Sequence, residues 1–151
     1  MRLISSTLEK LKRVLAENKD RRVSVVGTTC TGKTTIMKDI PEAVSLSDLG
    51  PPLTKEQKEY IMQTPWTPEI GETVAKLRGA KAVVAVGRPA FGTVIASNTE
   101  LIVYMKIDDK LLRKRTDLRN VNFTDAEAMQ IWLEEKIEES GLPVVVIQVE
   151  E

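Results

Sequence analysis

Leu3, Ile4, Leu8, Leu11, Val14 and Leu15 recur at helical spacing, with Glu9, Lys10, Lys12 and Arg13 between them. This predicts an amphipathic helix over 3–17, ended by Asn18-Lys19-Asp20. Arg22-Val23-Ser24-Val25-Val26 is then a β-branched run that stops at Gly27, the pattern of a buried strand. A helix is expected over 33–40, halted by Pro41. Ala43-Val44-Ser45-Leu46-Ser47 is a weaker strand, followed by the turn Asp48-Leu49-Gly50-Pro51-Pro52. Thr54 reads as the N-cap of a helix over 55–63. A Pro-rich loop, Thr64–Pro68, precedes another helix over 69–77, closed by Gly79. Lys81–Val86 and Leu101–Ile107 read as the third and fourth strands. Asp108–Arg119 reads as a basic helix, with Asp108 its N-cap. A longer helix is expected over 125–140, capped by Thr124 and ended by Gly141, and Pro143–Val149 is the last strand.

Strands alternate with helices, and the strands are continuous apolar runs. That combination predicts a parallel sheet covered by helices on both faces, an α/β/α sandwich of three layers. No repeat or linker interrupts the chain, so 1–151 is read as one domain. No helix follows the fifth strand, and the helix at 3–17 is expected to cover the sheet surface left bare. The alternative is an appendage that packs on a partner or a second copy.

Composition narrows the chemistry. Lys plus Arg and Asp plus Glu both total 22, so a broad nucleic-acid-binding face is not expected; the basic cluster at 110–119 is the one exception. Cys30 is the single cysteine, which excludes an internal disulfide or a multi-cysteine zinc site. The chain contains no histidine, which removes histidine bases, triads and metal ligands. The opening residues lack the apolar core of a signal peptide, and no apolar run reaches the ~18 residues of a membrane span. A cytoplasmic address is expected.

The most specific signal is Gly27-Thr28-Thr29-Cys30-Thr31-Gly32-Lys33-Thr34, a full G-x-x-x-x-G-K-T between an apolar strand and a helix. Its glycines let the backbone curl and approach phosphates. Its amides and the helix N-terminus offer positive potential to an anion. Lys33 suits the β- and γ-phosphates, Thr34 suits Mg²⁺, and Thr35 suits the α-phosphate. These residues point to ATP and Mg²⁺ as ligands. Cys30 is read as a small residue filling the loop, with a redox-sensitive thiol as the alternative. The N-K-x-D and D-x-x-G motifs of GTPases are absent.

Three stretches resemble the group of small nucleoside and nucleotide kinases that includes adenylate kinase and shikimate kinase. They are Gly27–Thr35, the turn Gly87-Arg88-Pro89, and Ile102–Lys106 leading into a helix with Arg115 and Arg119 spaced as R-x-x-x-R. The end of the chain, 133–147, is similar too. The resemblance implies a five-stranded parallel sheet in the order 2-3-1-4-5. It also implies transfer of a phosphoryl group from Mg-ATP to a small-molecule acceptor. Residues 51–79 match the group's acceptor-binding segment and 108–120 its lid. Arg115 and Arg119 share a helical face and suit the transferred group, whereas Arg113 points elsewhere. Arg78 and Arg88 are candidate acceptor contacts, and Trp66 either stacks on the acceptor or anchors its loop. The group often carries Asp where Val86 stands. Asp48 is the best substitute as metal ligand or general base. That departure keeps a second reading open, a nucleotide-binding or slow NTPase module that regulates a protein partner. Trp132 reads as core.

Overall fold

The computed structural model describes residues 6–150, so the expected start of the first helix at 3–5 lies outside the described residues. The helices are α1 (Ser6–Glu17), α2 (Lys33–Met37), α3 (Lys55–Ile61), α4 (Pro68–Val74), α5 (Asp109–Leu118) and α6 (Phe123–Ser140). The strands are β1 (Val23–Val26), β2 (Val44–Ser45), β3 (Ala90–Gly92), β4 (Leu101–Lys106) and β5 (Val144–Gln148). A 3₁₀ turn, Leu46–Asp48, follows β2, and a π-type turn, Ala75–Gly79, continues α4.

All five strands lie parallel in one open sheet, ordered β2-β3-β1-β4-β5. This is the order that the kinase resemblance implies. β1 is central, with Val25 opposite Phe91 on one side and Val103 on the other. Alternate residues feed two cores. On one face Val25, Val103, Met105 and Ile147 pack with Leu11 and Leu15 of α1, Ile36 of α2 and Leu112 of α5. On the other, Val26, Ile102 and Tyr104 pack with Trp132, Leu133 and Ile137 of α6. β1 is buried along its whole length, as its unbroken apolar run requires. Its one polar side chain, Ser24, is satisfied by the Thr99 hydroxyl at 2.6 Å.

The apolar stripe of α1 therefore belongs to this chain's own core. Thr7 also binds the far end of the sheet, its Oγ1 accepting the Glu150 amide at 3.0 Å. Helix ends follow local chemistry. Thr54 and Gln57 form a reciprocal capping box on α3. Asp108 caps α5 by accepting the Leu111 amide at 2.8 Å. At α6 the cap is Asn122 in place of Thr124, its Oδ1 accepting the Asp125 amide at 2.9 Å, and the helix begins two residues earlier than the pattern predicts. No helix among the described residues is long and apolar enough to cross a membrane.

The third strand is where the structure corrects the pattern. Lys81–Val86 is not a sheet strand. Ala82 and Val84 are buried but Val83 and Val86 are exposed, so the segment covers the core with one edge. The Asn98 side chain takes both main-chain groups of Val84, at 2.9 Å each. The chain then reverses through Ala85–Arg88, with Gly87 in the left-handed region. The strand that pairs with β1 is the following Ala90-Phe91-Gly92. The Gly87-Arg88-Pro89 turn thus precedes β3, at the amino end of the sheet, and does not follow the third strand as the resemblance requires.

Leu11 is fully buried at the centre of α1's packing face. Leu11→Ala should cost about 2–5 kcal/mol of unfolding free energy, read from the denaturation midpoint. An unchanged midpoint would make α1 an appendage with no part in the core.

Candidate functional site

The phosphate-loop sequence starts where β1 leaves the sheet. The Gly27 amide is still held by the Gly92 carbonyl at 3.3 Å, so the loop opens beside the carboxyl end of β3. Buried threonines brace it from beneath. The Thr28 hydroxyl donates to the Ala126 carbonyl at 2.7 Å, and the Thr31 hydroxyl to the Thr28 carbonyl at 3.0 Å. Gly32 has φ 92, a left-handed value that any side chain would strain, and it leads directly into α2. Cys30 also has a positive φ of 67; its side chain is buried in the α1-side core, as a space-filling residue would be. Thr34 and Thr35 stay exposed at the loop's mouth.

Lys33 is folded under this loop. Its Nζ donates to the Gly27 and Thr28 carbonyls at 2.6 and 2.7 Å and to Thr31 Oγ1 at 3.1 Å. These oxygens partly replace water, but burial dominates and draws the lysine's pKa down from 10.5 to about 7. The folded chain then binds this proton more weakly than the unfolded chain does. The residue's contribution to the empty protein's stability accordingly rises with pH between about 7 and 10.5. An anion in the loop would reverse this by favouring the charged form.

Three cavities meet around the loop. The mouth itself, about 340 Å³, is walled by residues 29–35 with Thr93, Arg119 and Met129. A second, about 410 Å³, lies between α1, α2 and α5, and shares Thr31, Gly32, Thr35 and Arg119 with the mouth. A third, about 280 Å³, holds Trp66, Arg78 and Lys58, and shares Thr93 and Met129 with the mouth. The arrangement is a three-part cleft along the carboxyl edge of the sheet, where open α/β folds bind ligands.

The candidate residues distribute unevenly over this cleft. Arg119 borders both the mouth and the second cavity. Arg115 borders the second cavity, and its guanidinium donates to the carbonyls of Cys30 and Glu150, each at 3.2 Å. Arg113 turns away, stacking 4.0 Å from the Phe123 ring centre. Trp66 and Arg78 line the third cavity. Arg88 is not part of the cleft: with β3 displaced it sits at the sheet's other end, where its Nε donates to the Glu42 carbonyl at 3.0 Å. Asp48 lies on the exposed 3₁₀ turn and lines none of the three cavities. Among the described residues no group of three or more His, Cys, Asp or Glu side chains is placed to hold a metal. Mg²⁺ keeps most of its water and takes phosphate oxygens when bound with a nucleotide, so the exposed Thr34 hydroxyl alone fits it.

Sequence reasoning missed Lys58, Thr93 and Met129. Thr93 had a signal, since it directly follows the glycine that ends β3. Lys58 looked like any polar position on a solvated helix.

The third cavity is rigidly built. Trp66 and Trp132 meet edge to face with centroids 6.0 Å apart. Trp132 Nε1 donates to Glu72 Oε2 at 2.9 Å, and Lys136 holds the same oxygen at 2.7 Å. Hydrogen bonds from Lys136 and Trp132 hold the Glu72 carboxyl below the usual range. Both rings press on Gly71, where an added Cβ would stand 2.8 Å from Trp66 and 2.9 Å from Trp132.

No protein-family model matches this chain, and no curated protein matches it significantly.

Gly71→Ala should force the two indoles apart. The expected readout is a changed near-ultraviolet circular dichroism and tryptophan emission, with about 1–3 kcal/mol of lost stability. Unchanged spectra would show that the two rings are free to yield.

Proposed function

We propose that this chain is a small ATP-dependent phosphotransferase, with Mg-ATP on the Gly27–Thr35 loop and its acceptor in the Trp66 cavity. One observation carries the reading. A complete G-x-x-x-x-G-K-T loop, in its strand–loop–helix setting, opens onto a mouth that shares Thr93 and Met129 with a second, independently walled cavity. Two ligand volumes sharing one wall suit transfer between two molecules better than hydrolysis alone. The sheet order supports a kinase-like P-loop fold.

The roles follow from placement. Loop amides and the α2 N-terminus receive the β- and γ-phosphates. Lys33 leaves the carbonyls of Gly27 and Thr28 for the triphosphate, whose charge restores its proton. Thr34 would bind the Mg²⁺ that arrives with the nucleotide, and this ion supplies charge neutralisation on the phosphates. Arg119, bordering both the nucleotide side and the mouth, suits the charge on the phosphoryl group in flight. Arg115 is already anchored to the loop main chain and suits the nucleotide side. Phosphoryl transfer needs mainly positioning and electrostatic stabilisation, which these groups provide. The regulatory-module reading loses one of its motives, because the apolar face of α1 is buried in this chain's own core.

Mg-ATP at a hundred times its dissociation constant should add about 2.7 kcal/mol of apparent stability in a thermal-shift titration. Lys33→Ala should abolish that shift. A wild-type melting temperature indifferent to saturating Mg-ATP would overturn the proposal.

Binding should also be proton-linked. At pH 8 the free lysine is mostly neutral and the bound one charged, so complex formation should take up close to about one proton. Above pH 7 affinity should fall by up to about tenfold per pH unit. Calorimetry in buffers of different ionisation enthalpy reads the uptake, and Lys33→Arg, which stays charged, should remove it.

A further inference from the structure

We infer that the acceptor is a phosphate monoester carrying a flat, apolar ring, with its phosphate between Lys58 and Arg78 and its ring against Trp66. A nucleoside monophosphate has this chemistry. The inference rests on the phosphotransferase reading and narrows its acceptor.

Charge is the first argument. Lys58 and Arg78 line the cavity, and no carboxylate does. Among the described residues neither side chain has an ion-pair or hydrogen-bond partner. Two uncompensated cations beside one cavity match a dianion. A phosphate monoester, with its second pKa near about 6, is close to that state at neutral pH. A carboxylate would balance only one of them.

Polarity is the second. Apart from the two cations and the indoles, the wall is aliphatic, methionine or glycine, and Thr93 is its only neutral hydroxyl. The Trp132 N–H is already committed to Glu72. A sugar or polyol bound here would leave most of its hydroxyls without partners, at a cost of roughly 1–3 kcal/mol for each buried one. A flat ring would instead meet the Trp66 face and the aliphatic wall.

The third argument is the absence of a base. A hydroxyl acceptor must lose its proton as it attacks. No carboxylate borders either the mouth or the acceptor cavity, the chain has no histidine, and Asp48 is exposed elsewhere. An ionised phosphate oxygen needs no base. It attacks the γ-phosphorus of ATP and a new P–O bond forms. The bond from that phosphorus to the β,γ-bridging oxygen breaks, and its electron pair leaves on ADP. No proton moves, and the products are the diphosphate of the acceptor and ADP. Thr93 and Met129, common to both cavities, mark where the two phosphates meet.

The test titrates the whole chain, without ATP, by calorimetry with AMP, GMP, CMP, UMP and their parent nucleosides. At least one monophosphate should bind about tenfold or more tightly than its nucleoside, a gap of about 1.4 kcal/mol. Arg78→Gln and Lys58→Gln should each weaken that binding by a similar factor while the Mg-ATP affinity stays at the wild-type value. Lys58 is exposed on its helix, so Lys58→Gln keeps the test open if Arg78→Gln unfolds. Equal affinity for nucleoside and monophosphate, or monophosphate binding untouched in Lys58→Gln, would overturn the inference. Label transfer from γ-labelled ATP to a nucleoside or polyol hydroxyl would overturn it too, yet leave the phosphotransferase reading standing. Because the titrations omit ATP, they decide the acceptor class whether or not Mg-ATP binds.

Discussion

β1 is covered on both faces and paired on both edges, so its main chain stays committed until the strand ends. Beyond Val26 the ladder stops and the chain must turn before α2. A buried turn with free polar groups would be costly, so every group there needs a partner. Thr28 and Thr31 supply side-chain oxygens from below, and Lys33 covers the Gly27 and Thr28 carbonyls from within. What stays unspent are donors facing the mouth. The cleft is therefore a consequence of sheet burial: the central strand delivers main chain to an edge where only an anion completes it.

The neighbours of β1 then decide what surrounds the mouth. β3 brings Thr93, β4 leads through Asp108 into α5 with Arg115 and Arg119, and α6 contributes Met129. Each is placed by packing far from the loop. Leu112 of α5 lies in one core, while Trp132 and Leu133 of α6 lie in the other. The brace from Lys136 through Glu72 to Trp132 fixes α4 against α6, and with it the wall that carries Trp66. A site assembled on packed helices is held more tightly than one on free loops.

Much of this was legible from local pattern. β1, β4 and β5 are apolar runs long enough to stand alone, and the Thr54 and Asp108 caps were readable because their partners lie within three residues. The phosphate loop carries its context with it. What was not legible depends on distant partners. Lys81–Val86 has every local mark of a strand, but Asn98 takes the hydrogen bonds of Val84 and removes it from the sheet. Ala90-Phe91-Gly92 is three residues long, with an alanine and a glycine, and has almost no strand propensity; pairing with β1 makes it one. The misplacement of Arg88 follows from that single exchange. The acceptor cavity was half visible: Trp66 and Arg78 stand out by residue type, whereas Lys58 and Met129 meet them only through the fold.

Net charge illustrates the same limit. With 22 residues of each sign, the chain averages to zero. Charge balance over a whole chain speaks to solubility and long-range attraction, and says little about a cleft a few ångströms wide. Here the signs are sorted in space. Lys33, Lys58, Arg78 and Arg119 border the mouth and the adjoining third cavity, which no carboxylate lines. Acidic side chains pair on outer surfaces instead, as Glu134 does with Lys106 and Glu100 with Arg22. Low-dielectric walls strengthen what charge remains inside, because the aliphatic lining excludes the water that would screen it. A neutral protein can thus present a strongly cationic interior edge, and the selectivity of that edge for dianions comes from where carboxylates are missing as much as from where the cations stand.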